Sequence, residues 1–456
     1  MLIDTHCHLD FKDFDPDRDA ALERAKAAGI GKIINIASSM EGSRRSVALA
    51  EKYDMVYASV GIHPHEAKGV TADAMSEIKK LAASTKVVAI GEVGLDYYRN
   101  LSPKNEQIAA FEAFIALAGE LDLPLVIHAR ECASDIIDIL KKSQKASPVN
   151  GVIHCFSGDA DFLKKCLDMG LYVSFTCNIT FKNAKVLRHT AKAMPVERLL
   201  LETDAPYLAP EGMRGKRNEP AYMVALLDEW SKILGLSKED IERITTHNAN
   251  DLFGLGMDDP SKIAYKIRDS LYLNITNRCT NSCDFCVRSK TQFVKGHNLK
   301  LDGEPSVTDV VKAVGDPKRY KEIVFCGYGE PTLRLDVIKA AALELKRSGA
   351  RIRVVTNGHG DLINKRTIAL ELKGLVDSFS VSLNTDTESV YNEVCKPEFG
   401  VPSYAAVKDF IRSCVRTGMD VEVTCLDLPG VDITKCEEIA KSLGAKFRPR
   451  QIGIVG

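Results

Sequence analysis

Residues 2–10 read LIDTHCHLD, a short apolar run that passes directly into a cluster of histidine and acidic side chains. Similar β-branched runs recur as far as residue 201 and alternate with longer amphipathic stretches. This alternation is typical of βα units, whose parallel strands close into a barrel. The predicted strands are Leu2 to Thr5, Lys32 to Ile36, Val56 to Val60, Val87 to Ile90, Leu125 to Ile127, Val152 to Ile153, Tyr172 to Phe175 and Leu199 to Leu201. We therefore expect an α/β fold that begins with a (β/α)8 TIM-like barrel.

A second βα series follows the polar segment Gly256 to Ser261, which suits a linker. Two domains are also expected from the length, because 456 residues exceed what one hydrophobic core usually organises. The strands predicted in the second series are Leu271 to Ile275, Ile323 to Cys326, Ile352 to Thr356, Phe379 to Leu383, Val421 to Thr424 and Lys446 to Gln451. The sequence thus predicts a barrel over residues 1–255, a linker over 256–268 and a partial (β/α)6 barrel over 269–456.

The composition, with 45% hydrophobic and 27% charged residues, is that of a soluble globular protein. No run approaches the ~20 apolar residues that a membrane span needs, and the amino terminus lacks the basic start and apolar core of a signal peptide. We therefore expect a cytoplasmic protein without a membrane partner. The formal net charge of −1 neither requires nor excludes a nucleic-acid partner, since a local basic patch is enough to bind phosphates. Most of the 13 cysteines are scattered singly, which indicates reduced thiols.

Histidine and carboxylate side chains follow the ends of most strands predicted in the first half. Active sites of parallel barrels lie at that rim, and scattered core histidines have no reason to gather there. The residues are His6, His8, His63, His65, Glu92, His128, His154, Glu202 and Asp204. Imidazole nitrogens and carboxylate oxygens together favour divalent ions such as Zn or Mn, and a carboxylate such as Glu92 can bridge two of them. Two metals ~3.5 to 4 Å apart are suited to hydrolysing a phosphodiester.

The stretches IDTHCHLD, VGIHPH, IGEVGLDYY, LVIHAR, VIHCFSG, LLLETDAPYLAP and RGKRNEP span essentially all of residues 1–255. Through them the sequence closely resembles the TatD family of metal-dependent hydrolases. The resemblance implies two divalent ions (Zn, Mn or Mg), the first held by His6, His8, Glu92 and Asp204 and the second by Glu92, His128 and His154. It also implies deoxyribonuclease activity, often 3′ to 5′ exonucleolytic, with Glu92, His63 and Asp204 as catalytic residues.

Several residues around this predicted site admit two interpretations. His63 is placed by the resemblance beside the substrate phosphate, and the alternative is a hydrogen bond to a metal ligand. Arg214, Lys216 and Arg217 follow the last strand and are candidates to bind phosphates of DNA or another nucleic acid or nucleotide, or else form a solvated charge run. The segment 175–178 departs from the small residues expected after strand seven. TatD-like proteins also include enzymes that hydrolyse aminoacyl-tRNA esters, so a deacylase remains an alternative.

In the second half, CTNSCDFC at residues 279–286 follows directly on the predicted strand LYLNIT. Cys279, Cys283 and Cys286 have the CxxxCxxC spacing of the radical S-adenosylmethionine (SAM) signature. Three cysteine ligands leave one iron of a [4Fe-4S] cluster without a protein ligand, and that iron can bind the methionine part of SAM. A structural zinc site is the alternative, but no fourth Cys or His lies nearby at the usual spacing.

The segment CGYGEPT at residues 326–332 resembles the GGEP motif that lines the SAM amino group, with Tyr328 in place of a glycine. The SAM contacts expected by position are Gly327, Gly329, Glu330, Asn357, Ser382 and Asn384. The implied chemistry is reduction of the cluster by a one-electron donor such as flavodoxin or ferredoxin, then cleavage of SAM to a 5′-deoxyadenosyl radical. The substrate of that radical is not encoded in any motif. Cys395, Cys414, Cys425 and Cys436 lie too far apart in sequence for a local motif.

Taken whole, the chain resembles TatD-nuclease-associated radical SAM proteins. Three hypotheses remain at this point. The chain is a bifunctional enzyme, a radical enzyme whose barrel only binds nucleic acid or nucleotide, or a nuclease whose cluster serves as a redox sensor. The complete ligand sets of both halves favour the bifunctional enzyme.

Overall fold

The computed structural model describes residues 1–145 and 148–451. The chain divides into two compact units, Met1–Asp258 and Asp259–Gly456. The last five residues of the predicted second domain, 452–456, lie outside the described residues.

The first unit is a parallel barrel whose strands follow one another in chain order. Its strands are β1 (Leu2–Cys7), β2 (Ile30–Asn35), β3 (Val56–Val60), β4 (Val87–Asp96), β5 (Leu125–Arg130), β6 (Gly151–Ile153), β7 (Tyr172–Phe175) and β8 (Leu199–Leu201). All eight predicted strands are confirmed. Strand β4 runs six residues beyond its predicted end at Ile90, because β5 extends alongside it and pairs Asp96 with Arg130.

The barrel closes at its carboxyl rim, where β1 meets the segment after β8. The backbone N–H of Asp204 donates to the carbonyl of His6, and that of His8 donates to the carbonyl of Ala205, both at 2.8 Å. The Asp4 carboxylate adds a side-chain link, since it accepts from the backbone N–H of Thr203 at 2.9 Å and from its hydroxyl at 2.6 Å. The rim that carries the predicted ligands is therefore fixed by hydrogen bonds between the first and last strands.

Helices surround the barrel and one of them seals its amino end. The helices are α1 (Arg18–Ala27), α2 (Met40–Lys52), α3 (Ala72–Leu81), α4 (Lys104–Leu121), α5 (Ala133–Gln144), α6 (Ala160–Asp168), α7 (Lys185–Ala191), α8 (Val224–Leu234) and α9 (Lys238–Phe253). Inward-facing strand residues such as Ile3 and Val126 pack with Leu252, Phe253 and Leu255 in one buried cluster. Because apolar side chains fill this end, the polar groups of the interior are left at the carboxyl rim.

The second unit contains a mixed sheet in the order β17-β16-β15-β14-β13-β10-β9. Its strands are β9 (Ala264–Ile267), β10 (Ser270–Leu273), β13 (Ile323–Phe325), β14 (Ile352–Thr356), β15 (Ser378–Asn384), β16 (Asp420–Leu426) and β17 (Lys446–Arg450), and a separate hairpin is formed by β11 (Phe293–Val294) and β12 (His297–Asn298). The six predicted strands form its parallel part.

One part of the expected linker is ordered as a strand. Residues 264–267 form β9, which pairs antiparallel with β10 through a two-residue turn. Alternate side chains, those of Tyr265 and Ile267, are buried. The turn is formed by Arg268, with φ of +54°, and Asp269, and it lacks the Asn-Gly or Gly-Gly pair that usually marks such a hairpin in sequence.

The helices of this unit are α10 (Val307–Val314), α11 (Leu335–Arg347), α12 (Gly360–Asn364), α13 (Ala369–Leu372), α14 (Glu388–Cys395), α15 (Pro402–Arg416) and α16 (Ile433–Ser442). Their apolar faces pack with the sheet in one buried cluster that includes Phe379 and Phe410. Among the described residues of both units, no helix is long and apolar enough to cross a membrane.

Strands β4 and β5 approach so closely that glycine is required between them. A Cβ added to Gly94, whose φ is +137°, would lie 2.1 Å from the carbonyl oxygen of His128. We predict that Gly94→Ala destabilises the protein by about 2 to 5 kcal/mol, the sum of a positive-φ cost and an overpacking cost. The matched control is Gly170→Ala, where φ is +80° and nothing lies within 4 Å.

Only the positive-φ cost of about 1 to 2 kcal/mol applies to the control. Calorimetry of thermal unfolding measures the loss of stability in each variant. Equal shifts of the barrel transition in both would contradict a steric role for the β4–β5 approach.

Candidate active sites

The carboxylate of Glu92, on β4, lies at the centre of the ligand-type residues of the barrel rim. Its Oε2 is 3.6 Å from Nε2 of His6 and 3.9 Å from Nε2 of His8. Asp204 completes this group, because its Oδ1 lies 3.6 Å and 3.3 Å from the same two nitrogens. The structure thus brings His6, His8, Glu92 and Asp204 together, although they are separated by up to 198 positions in the chain.

The other oxygen of Glu92 faces a second group of histidines. Its Oε1 lies 2.7 Å from Nδ1 of His128, 2.7 Å from Nε2 of His154 and 3.4 Å from Nε2 of His63. Glu92 is 3% exposed, so neither oxygen is hydrated as a surface carboxylate would be. One buried carboxylate therefore presents one oxygen to each of two sets of imidazole nitrogens.

The donor atoms of these residues converge as metal ligands do. Nε2 of His6 and Nε2 of His8 are 3.2 Å apart, and the facing nitrogens of His128 and His154 are also 3.2 Å apart. Burial opposes the charge of Glu92, but electrostatic interactions with His154 and His63 and hydrogen bonds from His128 and His154 hold the pKa of its carboxyl well below the usual value. A charged, shared carboxylate among convergent imidazoles fits two divalent cations.

Asp96, which follows Glu92 by four residues on β4, orients the ring of His128. Its Oδ2 lies 3.0 Å from Nε2 of His128 and 2.9 Å from Nε2 of His65. The side of His128 away from Glu92 is therefore fixed by a carboxylate, an arrangement that orients metal-binding histidines. The motif GLDYY contains this residue, but its partner His128 lies on another strand, so sequence analysis did not identify its role.

His8 and His154 also have polar neighbours on the side of the ring that faces away from Glu92. Nδ1 of His8 lies 2.8 Å from the carbonyl oxygen of Ile36. Glu202 accepts hydrogen bonds from the backbone N–H of Cys155 at 2.6 Å and the hydroxyl of Ser174 at 2.7 Å. Its Oε1 is 3.6 Å from Nδ1 of His154.

The three predicted phosphate-binding cations have different environments. Arg217 is engaged in ion pairs with Asp17, at 2.6 Å, and Glu219, at 3.4 Å, and donates to the carbonyl of Asp13. These contacts fix the loop after β8 against the loop after β1 and occupy the guanidinium. Arg214 and Lys216 are exposed, and the guanidinium of Arg214 lies 4.5 Å from the ring centroid of Phe181.

In the second unit, a segment distant in sequence holds the loop of Cys279, Cys283 and Cys286. The backbone N–H groups of Ser282 and Asp284 donate to the carbonyls of Cys395 and Val394 at 3.1 Å and 3.0 Å, and that of Glu398 donates to the carbonyl of Thr280 at 2.8 Å. Lys396 forms an ion pair with Asp284. The loop is therefore paired along its length with residues 394–398.

This pairing places a fourth cysteine beside the motif. Cys395 is buried, and its thiol interacts with that of Cys283, which is the main cause of the raised pKa of Cys283. The amide of Asn384 lies 3.6 Å from Sγ of Cys395. The sequence did not show this neighbour, because Cys395 belongs to no local cysteine motif and lies 112 residues after Cys283.

Asn357, one of the expected SAM contacts, is directed at the cysteine loop. Its Nδ2 donates to the hydroxyl of Thr280 at 2.9 Å and lies 3.9 Å from Sγ of Cys279. Thr280 also contacts Nδ1 of His359 at 3.0 Å, and Nε2 of His359 contacts the hydroxyl of Tyr391 at 3.0 Å. Burial lowers the pKa of His359 to about 4, so this buried chain of hydrogen bonds is uncharged at neutral pH.

Glu330 joins the ends of β13 and β14. Its carboxylate accepts hydrogen bonds from the hydroxyls of Thr332 and Thr356, at 2.6 Å and 2.8 Å, and from the backbone N–H of Asn357 at 2.7 Å. These contacts occupy both oxygens of a buried side chain. The structure thus gives Glu330 a scaffolding role, and Ser382 lies half-buried on β15.

The two glycines of CGYGEP allow the end of β13 to approach the start of the cysteine loop. Gly327 has φ of +98°, and a Cβ on Gly329 would lie 2.1 Å from the carbonyl oxygen of Arg278. Tyr328 between them instead uses its side chain, which donates to the carbonyl of Thr291 at 2.9 Å. A cavity of about 580 Å³ beside the loop is lined by Asn277, Asn281, Ser282, Cys283, Cys286, Arg288, Ser289, Lys290, Thr291, Gln292, Lys300 and Tyr328. Cys283 and Cys286 line this cavity, and together with Cys279 they give three thiols in one short loop, a set that fits an iron–sulfur cluster.

We predict that Asp96→Asn weakens binding of Mn²⁺ to the barrel about 10- to 100-fold, because His128 loses the carboxylate that fixes its ring. Isothermal titration of the metal-stripped protein measures the affinity. The matched control is Asp135→Asn, which removes a carboxylate that accepts a hydrogen bond from Tyr97 at 2.6 Å. Unchanged Mn²⁺ affinity in Asp96→Asn would contradict the orienting role.

Comparison with known proteins places both halves in families. The family model described as TatD related DNase matches residues 3–254. The model described as Radical SAM superfamily matches residues 273–443.

Relatives of known sequence and structure match the first half over almost their whole length. An uncharacterized metal-dependent hydrolase of Bacillus subtilis, YabD, is 42% identical over 253 residues, which are 56% of this chain and 99% of that protein. The 3′-5′ ssDNA/RNA exonuclease TatD of Pantoea ananatis is 39% identical over 261 residues, which are 56% of this chain and 100% of that protein. The crystal structure of YJJV, a TatD homolog from Escherichia coli K12, is similar with a TM-score of 0.53 and 31% identity, covering 56% of this chain and 98% of that one. The chain is therefore an enzyme that belongs to the TatD related DNase family through residues 3–254 and carries a radical SAM superfamily domain over residues 273–443.

Proposed function

We propose that the barrel is a two-metal phosphodiesterase that degrades nucleic acid from the 3′ end, and that the second domain is a radical SAM enzyme. The observation that supports the first part is the position of the Glu92 carboxylate, whose two oxygens face separate groups of histidines. Relatives from Pantoea ananatis and Klebsiella pneumoniae are named 3′-5′ ssDNA/RNA exonuclease TatD, which supports nucleic acid over an aminoacyl ester as the substrate class.

In this proposal, His6, His8, Glu92 and Asp204 hold one divalent ion, and Glu92, His128 and His154 hold the other. Zn²⁺, Mn²⁺ and Mg²⁺ are the candidates, and when bound the pair supplies Lewis acidity for phosphodiester hydrolysis. His63 lies 3.4 Å from Oε1 of Glu92 with 12% of its side chain exposed, and in this proposal it contacts a phosphate oxygen of the substrate. Arg214 and Lys216 extend the cationic surface toward the phosphate backbone.

We predict that the protein releases mononucleotides from the 3′ end of 5′-labelled single-stranded DNA when Mg²⁺ or Mn²⁺ is present. Glu92→Gln should lower the rate by at least about 100-fold, because a neutral amide cannot bridge two cations. The matched control is Glu112→Gln, which removes an exposed carboxylate paired with Lys142. Denaturing gels resolve the products.

Metal content measured on the same samples makes a negative result decisive. Wild-type protein that carries two ions and releases no nucleotide would contradict the nuclease proposal. Hydrolysis of aminoacyl-tRNA by that sample would then support the deacylase.

For the second domain we propose that Cys279, Cys283 and Cys286 bind a [4Fe-4S] cluster and that SAM binds beside it. When bound, the reduced cluster and SAM supply a 5′-deoxyadenosyl radical, and a flavodoxin- or ferredoxin-type protein supplies the electron. The chain's own residues would position these groups: Asn357 and residues 394–398 hold the cysteine loop, and Gly327 and Gly329 keep the strand end close to it.

We predict that anaerobic reconstitution gives the visible absorbance of an iron–sulfur cluster. After reduction with dithionite, the reconstituted protein should convert SAM to 5′-deoxyadenosine. The Cys279, Cys283, Cys286 triple Ala variant should lose bound iron and sulfide. Cys414→Ala, at a buried cysteine in α15, is the matched control that should retain them.

Iron and sulfide retained in full by the triple variant would contradict the cluster assignment. A cluster that forms without 5′-deoxyadenosine production would instead favour the redox sensor. Chromatography of the supernatant measures this product.

A further inference from the structure

Exposed aromatic side chains are rare in this protein and belong to the carboxyl rim of the barrel. Of the Phe, Tyr and Trp residues, all of which lie within the described parts of the chain, Tyr98 and Tyr207 are the exposed ones, each at 54%. Tyr98 follows β4 and Tyr207 follows β8, so both belong to loops at the carboxyl rim of the barrel. Since the strands are ordered β1 to β8 around the barrel, β4 and β8 lie on opposite sides of the rim.

Tyr207 stands next to the first histidine group. The ring of Phe11 stacks on that of His8 with centroids 4.6 Å apart and planes at 17°. Tyr207 meets both rings edge-on, at 6.1 Å from Phe11 and 6.3 Å from His8. Its backbone N–H donates to the carbonyl of Asp204 at 2.9 Å. The position of this ring is thus set by two of the proposed metal-binding residues.

Tyr98 stands next to the second group and is combined with positive charge. The guanidinium of Arg130 lies 3.9 Å from its ring centroid, and that of Arg99 lies 5.9 Å away. Arg130 follows His128 by two residues on β5, and Tyr98 follows Asp96 by two. Contact between Arg and the ring orders both side chains, and the remaining guanidinium N–H groups can donate to phosphate oxygens.

We infer that the barrel holds single-stranded nucleic acid at two stacking positions, one base against Tyr207 and another against Tyr98, with Arg130 and Arg99 contacting the backbone. The inference rests on the proposed hydrolytic function, and it names the side chains that select the substrate. A strand that crosses the rim from Tyr207 to Tyr98 passes over Glu92, which lies between the two histidine groups.

Stacking explains which nucleic acids this rim accepts. A base can present its face to a tyrosine ring only when it is unpaired, so single strands are preferred to duplexes. Every base has such a face, so the preference for sequence is weak. The binding energy comes from rings and phosphates, and it is therefore independent of whether the sugar is ribose or deoxyribose.

The test compares Tyr98→Ala and Tyr207→Ala with Tyr98→Phe and Tyr207→Phe, which keep the ring. Each is assayed with Mn²⁺ on a single-stranded oligonucleotide and on an abasic oligonucleotide of equal length, which has the same backbone and no bases. Loss of one stack is worth about 1 to 3 kcal/mol, and 1.4 kcal/mol is tenfold. We expect the ratio of kcat/KM on the two substrates to fall about tenfold in each Ala variant, mainly through KM, and to stay at the wild-type value in each Phe variant.

Fluorescence anisotropy with the same labelled oligonucleotides gives a readout that does not require hydrolysis. The ratio of Kd for the abasic strand to Kd for the normal strand should also fall about tenfold in the Ala variants. Unchanged ratios in both assays would overturn the stacking inference while leaving the hydrolytic function intact. Absence of hydrolysis in all proteins, with the Kd ratio reduced as expected, would instead contradict the hydrolase and retain the two stacking positions.

Discussion

The arrangement of the barrel depends on one carboxylate that is shared between two groups of imidazoles. Glu92 is buried, and its two oxygens can face different histidines only if β4 is held firmly against β5. Close approach provides this, because a Cβ on Gly91 would lie 2.6 Å from the side chain of Val126 and one on Gly94 would overlap the backbone of His128. The sequence GEVG is therefore a requirement of packing as much as of ligand chemistry, and it explains why β4 is the longest strand of the barrel and buried throughout.

Most of the barrel could be predicted from the sequence because its signals are local. Each ligand-type residue lies at the end of an apolar run, and the topology of a parallel barrel brings all such ends to one rim. The contacts that the sequence did not show are made with distant partners. Asp96 acts on His128 from a neighbouring strand, and Arg217 is occupied by Asp17, 200 residues away.

The second unit follows the same rule. Its parallel strands and its three cysteines could be predicted from short sequence patterns. The hairpin at its start could not, because its turn is formed by Arg268 and Asp269, which are not typical turn residues of a two-residue hairpin. Cys395 becomes a neighbour of Cys283 only through the pairing of residues 394–398 with the loop. Asn357 and Asn384 are predicted by position to contact SAM, and the sequence does not show that their amides also lie against Thr280 and Cys395.

The chain of hydrogen bonds from Thr280 through His359 to Tyr391 has a consequence for the lifetime of the protein in air. The cysteine loop is held by these hydrogen bonds, by backbone pairing with residues 394–398 and by the ion pair between Lys396 and Asp284, all of which are contacts within the polypeptide. Oxygen that destroys an iron–sulfur cluster would then remove the inorganic part without unfolding the polypeptide around it. The loop would then remain a substrate for cluster assembly, so that repair could replace resynthesis.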